Sequence, residues 1–327
     1  MIHPLDRIAG VALRRGPERL KFFSEGWGDT TLIDPDAILS QDPTPVPIAW
    51  LAESQDTGGH TVSHGTFTSP APHLPERSRI GTVISVAPRD ATRKVVVLMP
   101  AWNEHDPKVR VAIAGLLADQ GIRSIILENP YYGSRTPDPG IDQPIRTVAD
   151  FMIMGGAAVN EARGILTAFN AEGATVGVAG YSMGGNTAAI VTATLDFPLA
   201  SAPLAASHSP GPVFLDGTLR GGIDWAALGG RSQETKLRAT LGSASVLNVE
   251  PKPHTAHAVI VRAASDGYIP ASATQQLVDH WPGSELRVLS GGHGTLVWYR
   301  KPQLAQAIVD SFTRLEEQEP QLLPSTD

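Results

Sequence analysis

The chain has 327 residues, of which 42% are apolar and 18% charged, and this composition is typical of a globular protein with a large core. Its net charge of -7 provides no basic surface for nucleic acid or an anionic membrane, so we expect neither as a partner. Cysteine is absent, which excludes a disulfide framework, a thiolate metal site and a cysteine nucleophile.

The amino-terminal residues show no pattern of a secretory signal. Residues 1–20 alternate charged and apolar side chains, whereas a signal needs an apolar core of about 7 to 15 residues. Apolar runs elsewhere are shorter than the roughly 18 residues of a membrane span. We therefore expect a cytoplasmic protein that does not cross a bilayer.

Residues 1–64 are predicted to form a loop-rich extension with short helices, packed on the core, because proline and glycine are frequent there. Phe22, Phe23 and Trp27 lie among polar residues in this segment. Two interpretations are open: an aromatic patch held against the core, which we favour, or a flap over a pocket.

From Gly65 onward, strand-like and helix-like segments alternate, which predicts an α/β fold with a mostly parallel sheet covered by helices on both faces. The run Val-Val-Val-Leu-Met within 94–99 suits a strand buried on both faces. The predicted strands are 65–69, 81–87, 94–99, 124–127, 174–179, 199–206, 257–263 and 285–289. The predicted helices are 109–119, 145–169, 186–193, 272–280 and 303–315.

Residues 207–253 interrupt this alternation and are rich in glycine and proline. We predict one core, formed by residues 65–206 and 254–327, with this segment as a small cap. Ligands of open α/β sheets bind outside the carboxyl ends of the strands, where such an insertion would cover them. The alternative is a surface excursion that never touches substrate.

The pentapeptide Gly180-Tyr181-Ser182-Met183-Gly184 fits the G-x-S-x-G nucleophile elbow. In that motif the serine lies on a strained turn between a strand and a helix, where larger side chains at the glycine positions would collide with backbone. A β-type run precedes the motif and a helix-compatible stretch follows it. Ser182 is therefore the predicted nucleophile, and the alternative is a glycine-rich turn with an ordinary serine.

A serine nucleophile needs a histidine base that is itself oriented by an acid, and on this architecture the chain order is serine, acid, histidine. Asp266 follows the predicted strand 257–263, and His293 follows the last predicted strand. These two residues are the predicted acid and base. The alternatives are an aspartate that only forms an Asp-Gly turn and a histidine on a surface loop.

The oxyanion of acyl transfer needs two backbone N–H donors. The first is predicted at Met183, directly after the serine. The second is expected from the loop after strand 94–99, where Pro100 has no N–H, so Ala101 or Trp102 must supply it. We choose Trp102.

Substrate contacts are predicted from the turn that leaves strand 124–127. Tyr131, Tyr132 and Arg135 lie in this turn and are expected to border the pocket, with Arg135 holding an anionic group. The alternative is a turn braced by its own hydrogen bonds. His208, at the start of the predicted cap, is also placed in the pocket.

The sequence also resembles the alpha/beta hydrolase domain-containing protein 18 family over most of its length. The matching motifs are Phe22-Phe23, Gly26-Trp27-Gly28, Leu127-Glu128-Asn129-Pro130-Tyr131-Tyr132-Gly133, Met154-Gly155-Gly156-Ala157, Ser182-Met183-Gly184-Gly185, Tyr268-Ile269-Pro270, Trp281-Pro282-Gly283 and Gly291-Gly292-His293. This resemblance implies an α/β-hydrolase fold. It also implies a serine hydrolase triad at Ser182, Asp266 and His293.

Together these observations predict an esterase-like or lipase-like serine hydrolase that cleaves a carboxylic ester or related acyl bond of a small molecule. No cofactor and no metal are expected. A thioesterase, amidase or peptidase with the same triad is an alternative, and so is a catalytically idle binding protein on the same fold. Haloalkane or epoxide chemistry would need an aspartate in place of Ser182.

Overall fold

The computed structural model describes residues 2–15, 21–138 and 145–317. These residues form one nine-stranded sheet in the order β1-β2-β3-β5-β4-β6-β7-β8-β9. The pairings β1-β2, β2-β3 and β3-β5 are antiparallel. The pairings along β5-β4-β6-β7-β8-β9 are parallel. The strands are β1 (Ala49–Thr57), β2 (His60–Thr68), β3 (Ile80–Pro88), β4 (Lys94–Met99), β5 (Arg123–Leu127), β6 (Thr175–Tyr181), β7 (Ala200–Leu204), β8 (Val259–Ala263) and β9 (Glu285–Leu289).

Helices cover both faces of this sheet. Helices α4, α5 and α8 pack on one face, and α3 and α10 pack on the other. The helices are α1 (Pro4–Arg15), α2 (Pro35–Leu39), α3 (Lys108–Ala118), α4 (Val148–Ala171), α5 (Met183–Thr194), α6 (Pro210–Leu215), α7 (Glu234–Gly242), α8 (Ala271–His280), α9 (His293–Tyr299) and α10 (Lys301–Glu316). None of those in the described ranges is long and apolar enough to span a membrane. The predicted mostly parallel sheet with helices on both faces is confirmed.

Strand β4 shows why the sheet has two cores. Val95 and Val97 point into the cluster formed with α4 and α5, whereas Val96 and Leu98 point into the cluster formed with α3 and α10. Successive side chains of a strand face opposite sides, so a continuous apolar run is buried only when both faces are covered. The prediction of a doubly buried central strand is confirmed.

The amino-terminal part differs from the prediction. Strands β1 and β2 form a hairpin whose two-residue turn is Gly58-Gly59, with φ angles of 61° and 97°. Two positive φ values suit the turn type that matches strand twist, and glycine adopts them without strain. The predicted loop through residue 64 is wrong here. Every residue of β1 is exposed, so β1 lacks the apolar alternation that marks strands in a sequence.

Two aromatic residues of the amino-terminal segment, Phe22 and Phe23, are fully buried, and Trp27 is partly buried beside them. The ring centroid of Phe22 lies 5.0 Å from that of Phe214 on α6, and that of Phe23 lies 6.3 Å from that of Phe151 on α4. Such edge-to-face contacts favour a fixed arrangement over a mobile one. The predicted patch packed on the core is therefore confirmed over the flap.

Candidate active site

Ser182 lies between β6 and α5 with φ 59° and ψ -117°. This left-handed conformation is rare for a residue with a side chain and indicates a strained turn. A Cβ atom on Gly180 would lie 2.4 Å from the carbonyl oxygen of Gly184, and one on Gly184 would lie 2.6 Å from that of Met99. Both glycines are therefore required sterically, as the elbow motif predicts.

Three side chains distant in sequence meet at this turn. His293 Nε2 lies 2.8 Å from Ser182 Oγ, and His293 Nδ1 lies 2.8 Å from Asp266 Oδ2. The side chains of His293 and Asp266 are only 10% and 4% exposed. The other carboxylate oxygen of Asp266 accepts hydrogen bonds from the backbone N–H groups of Tyr268 and Ile269, at 2.8 and 2.9 Å. These contacts fix the orientation of the carboxylate toward the imidazole.

Two tyrosines to which the sequence assigned no role hold His293 in place. The ring of Tyr268 stacks on the imidazole at 4.8 Å and 24°, and the Tyr181 hydroxyl donates a 2.5 Å hydrogen bond to the carbonyl of His293. Burial, reinforced by nearby carboxylates, raises the pKa of both phenols, so both remain neutral near pH 7. Tyr181 occupies a variable position of the elbow motif, so the motif carried no signal for it.

A cavity of about 810 Å³ opens beside Ser182 and His293. This volume lies in the usual range for small-molecule sites. The lining is mostly apolar and includes Trp102, Phe151, Met183, Phe214, Ile269 and Val297. Residues 207–253 contribute part of this wall, as a cap would, and the division of the chain into core and cap stays a prediction. Residues 2–15, 21–138 and 145–317 contain no cluster of three or more metal-ligating side chains.

Two backbone N–H groups near the serine have no partner among the described residues. Met183 begins α5, so its N–H has no carbonyl within the helix. The N–H of Ala101 donates to Glu104 Oε2 at 3.2 Å, whereas that of Trp102 is not engaged by any described group. Of the two alternatives for the second oxyanion donor, Trp102 is the one whose N–H is not engaged, and its role stays a prediction.

An ion pair missed by the sequence analysis supports this loop. Arg110 Nε lies 2.6 Å from Glu104 Oε1, and its Nη1 donates to the carbonyls of Leu98 and Leu127 at 2.7 Å. Arg110 therefore joins the carboxyl ends of β4 and β5 to the loop that follows β4. A glutamate six residues before an arginine on a helix gives no recognisable sequence signal.

The predicted substrate contact of Arg135 is wrong. Its side chain is fully buried and forms a bidentate ion pair with Glu161 of α4, with N···O distances of 2.5 and 2.9 Å. It also donates to the carbonyls of Ser78 and Glu128. Arg135 does not line the cavity, and the alternative of a braced turn is the correct one.

The other predicted pocket residues also lie elsewhere. Tyr131 and Tyr132 are buried among apolar side chains, and the Tyr131 hydroxyl donates to Asp150 at 3.3 Å. His208 Nδ1 lies 2.9 Å from Ser245 Oγ, and burial lowers the pKa of this histidine. Neither tyrosine nor His208 reaches the cavity beside Ser182. The turn after β5 folds onto α4, and this packing directs its side chains away from the cavity.

The family model described as alpha/beta hydrolase domain containing 18 matches residues 20–257 and 244–314. The chain belongs to this family. Membership confirms the resemblance drawn from the sequence motifs, together with the α/β-hydrolase fold. Membership in this alpha/beta hydrolase family supports a hydrolase activity for this chain.

Solved structures show the same fold. An acetyl xylan esterase from Paenibacillus sp. R4 is 13% identical, covers 91% of this chain and 98% of its own, and has a TM-score of 0.58. The α/β hydrolase GrgF from Penicillium sp. sh18 is 16% identical, with coverages of 78% and 98% and a TM-score of 0.54. An acylaminoacyl peptidase from Pyrococcus horikoshii is 11% identical, covers 85% of this chain and 43% of its own, and has a TM-score of 0.54. At these identities the similarity establishes the fold alone.

Proposed function

We propose that this protein is a serine hydrolase that cleaves a carboxylic ester or a related acyl bond. The observation that supports this most directly is the continuous hydrogen-bonded line from Ser182 Oγ through the imidazole of His293 to Asp266, at the wall of the cavity. Membership in a hydrolase family and fold neighbours that include an esterase agree with this proposal.

In this mechanism Ser182 Oγ attacks the acyl carbon while His293 Nε2 takes its proton. Asp266 keeps the Nδ1–H of His293 directed toward itself, so that Nε2 is free to accept. The N–H groups of Met183 and Trp102 stabilise the developing oxyanion, each contributing about 3 kcal/mol. The C–O bond then breaks, and His293 protonates the leaving alcohol. A water molecule releases the acyl group by the same steps, so the reaction needs no cofactor.

The cavity favours a substrate with an uncharged apolar part. Its wall is mostly apolar, and the charges of Glu104 and Arg110, which also border it, are paired with each other. The Arg110 guanidinium is therefore already engaged by Glu104 and is not free to bind an anionic group of a substrate. We therefore propose a small-molecule ester whose acyl or alcohol group is apolar.

Labelling with a fluorophosphonate probe tests the proposal, since the probe reacts with activated serines. Wild type should be labelled, and both Ser182→Ala and His293→Ala should lose labelling and ester hydrolysis while remaining folded. Ser272→Ala, an exposed serine on α8, is the matched control and should behave as wild type. Comparison of p-nitrophenyl esters of increasing chain length with a thioester and an anilide defines the bond cleaved. Hydrolysis retained by Ser182→Ala, or an inert and well-folded wild type, would refute the assignment.

A further inference from the structure

Asp6, on the first turn of α1, is a buried carboxylate that contacts both loops of the candidate active site. Its exposed fraction is 2%. Its Oδ2 atom accepts hydrogen bonds from the backbone N–H of Gly267 and from that of His293, both at 2.9 Å. Its Oδ1 atom lies 3.5 Å from the N–H of Gly294. One side chain therefore bonds to two loops that are separated by more than 250 residues from it in sequence.

The two peptide groups bound by Asp6 are those next to the acid and the base. Gly267 directly follows Asp266, and the second N–H is that of His293 itself. A single oxygen atom therefore bridges the loop that carries the carboxylate and the loop that carries the imidazole. The distance between these loops determines whether His293 Nδ1 can lie 2.8 Å from Asp266 Oδ2.

Both loops have glycine where α1 passes. A Cβ atom on Gly267 would lie 2.8 Å from Asp6 Cβ, and one on Gly292 would lie 2.9 Å from Asp6 Oδ2 and 2.4 Å from His3 Cβ. The backbone N–H of His3 also donates to the carbonyl of Ser265 at 2.9 Å. The helix is thus seated closely on both loops, and larger residues at either glycine would displace it.

Among the described residues, no cation pairs with the Asp6 carboxylate. A buried charge without an ion pair is costly unless hydrogen bonds satisfy it. Here the satisfying donors are the two peptide N–H groups, and bonds from N–H to a carboxylate are shorter and stronger than those to a neutral acceptor. The interaction is therefore directed at the two loops rather than at the rest of the fold.

We propose that Asp6 is a positioning residue that holds the Asp266 loop and the His293 loop at the separation their mutual hydrogen bond requires. This inference rests on the proposed function. Asp6 does not touch the reacting atoms. It acts on turnover through the imidazole, whose correct placement over Ser182 is lost when the two loops move apart.

The test compares three Asp6 variants with a control on the same helix. Asp6→Ala removes the bridge and should lower kcat about 100-fold, the loss associated with a displacement of about 1 Å, while KM stays within about twofold. Asp6→Asn keeps one oxygen that can accept both N–H groups and should restore most of kcat. Asp6→Glu keeps the charge but moves it by one methylene, so kcat should fall again. Leu13→Ala, which truncates the packing of α1 against the aromatic cluster, should lower Tm but not kcat.

A spectroscopic readout separates this inference from the proposed function. The Nδ1 proton of His293 should give a downfield NMR resonance in wild type and in Asp6→Asn, and this resonance should be lost or shifted upfield in Asp6→Ala. That result would support positioning by Asp6 even if wild type hydrolysed no ester, an outcome that would refute the proposed function alone. An unchanged resonance and unchanged kcat in Asp6→Ala or Asp6→Glu would overturn the inference. Equal losses of kcat in Asp6→Ala and Leu13→Ala would also overturn it, since helix docking in general would then be responsible.

Discussion

Replacing Arg135 by methionine should destabilise the protein without changing chemistry at Ser182. The guanidinium is fully buried, as is its partner Glu161, and the pair is bidentate. Arg135 also satisfies the carbonyls of Ser78 and Glu128. Methionine fills a similar volume but leaves the Glu161 carboxylate buried without a partner.

The expected loss in the free energy of unfolding is about 3–5 kcal/mol, the usual result of removing one partner of a buried ion pair. Most of this loss is the desolvation of the orphaned carboxylate rather than the value of the pair itself. The double variant Arg135→Met with Glu161→Leu removes both charges and should recover most of the stability. An exposed pair gives the contrasting control: Arg89 and Asp56 are 65% and 60% exposed, so Arg89→Met should cost less than about 1 kcal/mol.

Urea unfolding followed by tryptophan fluorescence measures these free energies, and ester hydrolysis at low temperature measures the activity of the folded variants. We expect lower stability of Arg135→Met with kcat and KM close to those of wild type. A loss below about 1 kcal/mol would refute the reasoning. So would normal stability combined with weaker binding of anionic esters, because the arginine would then act on substrate rather than on the fold.

Two further variants test the loop after β4 and the response to acid. Glu104→Gln weakens the ion pair with Arg110 and the hydrogen bond to the Ala101 N–H. We therefore expect kcat to fall about tenfold at similar KM, which corresponds to an activation free energy higher by about 1.4 kcal/mol. An unchanged kcat would show that this loop does not contribute to oxyanion binding. Burial lowers the pKa of His254, whose Nε2 lies 2.8 Å from the carbonyl of Thr192. Below about pH 6.5 the unfolded chain therefore binds a proton that the folded chain does not. As the pH is lowered through this range, the free energy of unfolding decreases by up to about 1.4 kcal/mol per pH unit. His254→Gln should flatten the decline of Tm between about pH 7 and 5, whereas exposed His73→Gln should not.

Local patterns in the sequence predicted the central strands and covering helices, and they singled out Ser182, Asp266 and His293, which the structure brings together. Continuous apolar runs mark strands buried on both faces, and period-3.6 patterns mark the helices that cover them. Gly180 is required by its contact with Gly184, and Gly184 by its contact with Met99 at the end of the neighbouring strand β4. The strand-turn-helix geometry of the elbow repeats both contacts wherever it occurs, so a short motif predicts both glycines. The order of serine, acid and histidine follows from strand order. Asp266 and His293 were therefore predicted because each lies in the loop that follows a late strand.

The tertiary structure alone decided where side chains in turns point. Arg135 follows a central strand as a pocket residue would, yet its packing partner Glu161 lies on a helix 26 residues later and draws it into the core. His208 pairs with Ser245 in the same way. The exposed hairpin strand β1 carried no apolar alternation.

Asp6 is the clearest case of information that no local pattern contains. Its neighbours in sequence describe an ordinary amphipathic helix, and its bonding partners lie 261 and 287 residues away. Burial of a carboxylate becomes favourable only when specific peptide N–H groups reach it, and those groups come together only after the sheet has formed. Sequence therefore predicted the central strands and the residues after their carboxyl ends, and folding determined which distant groups hold those residues in place.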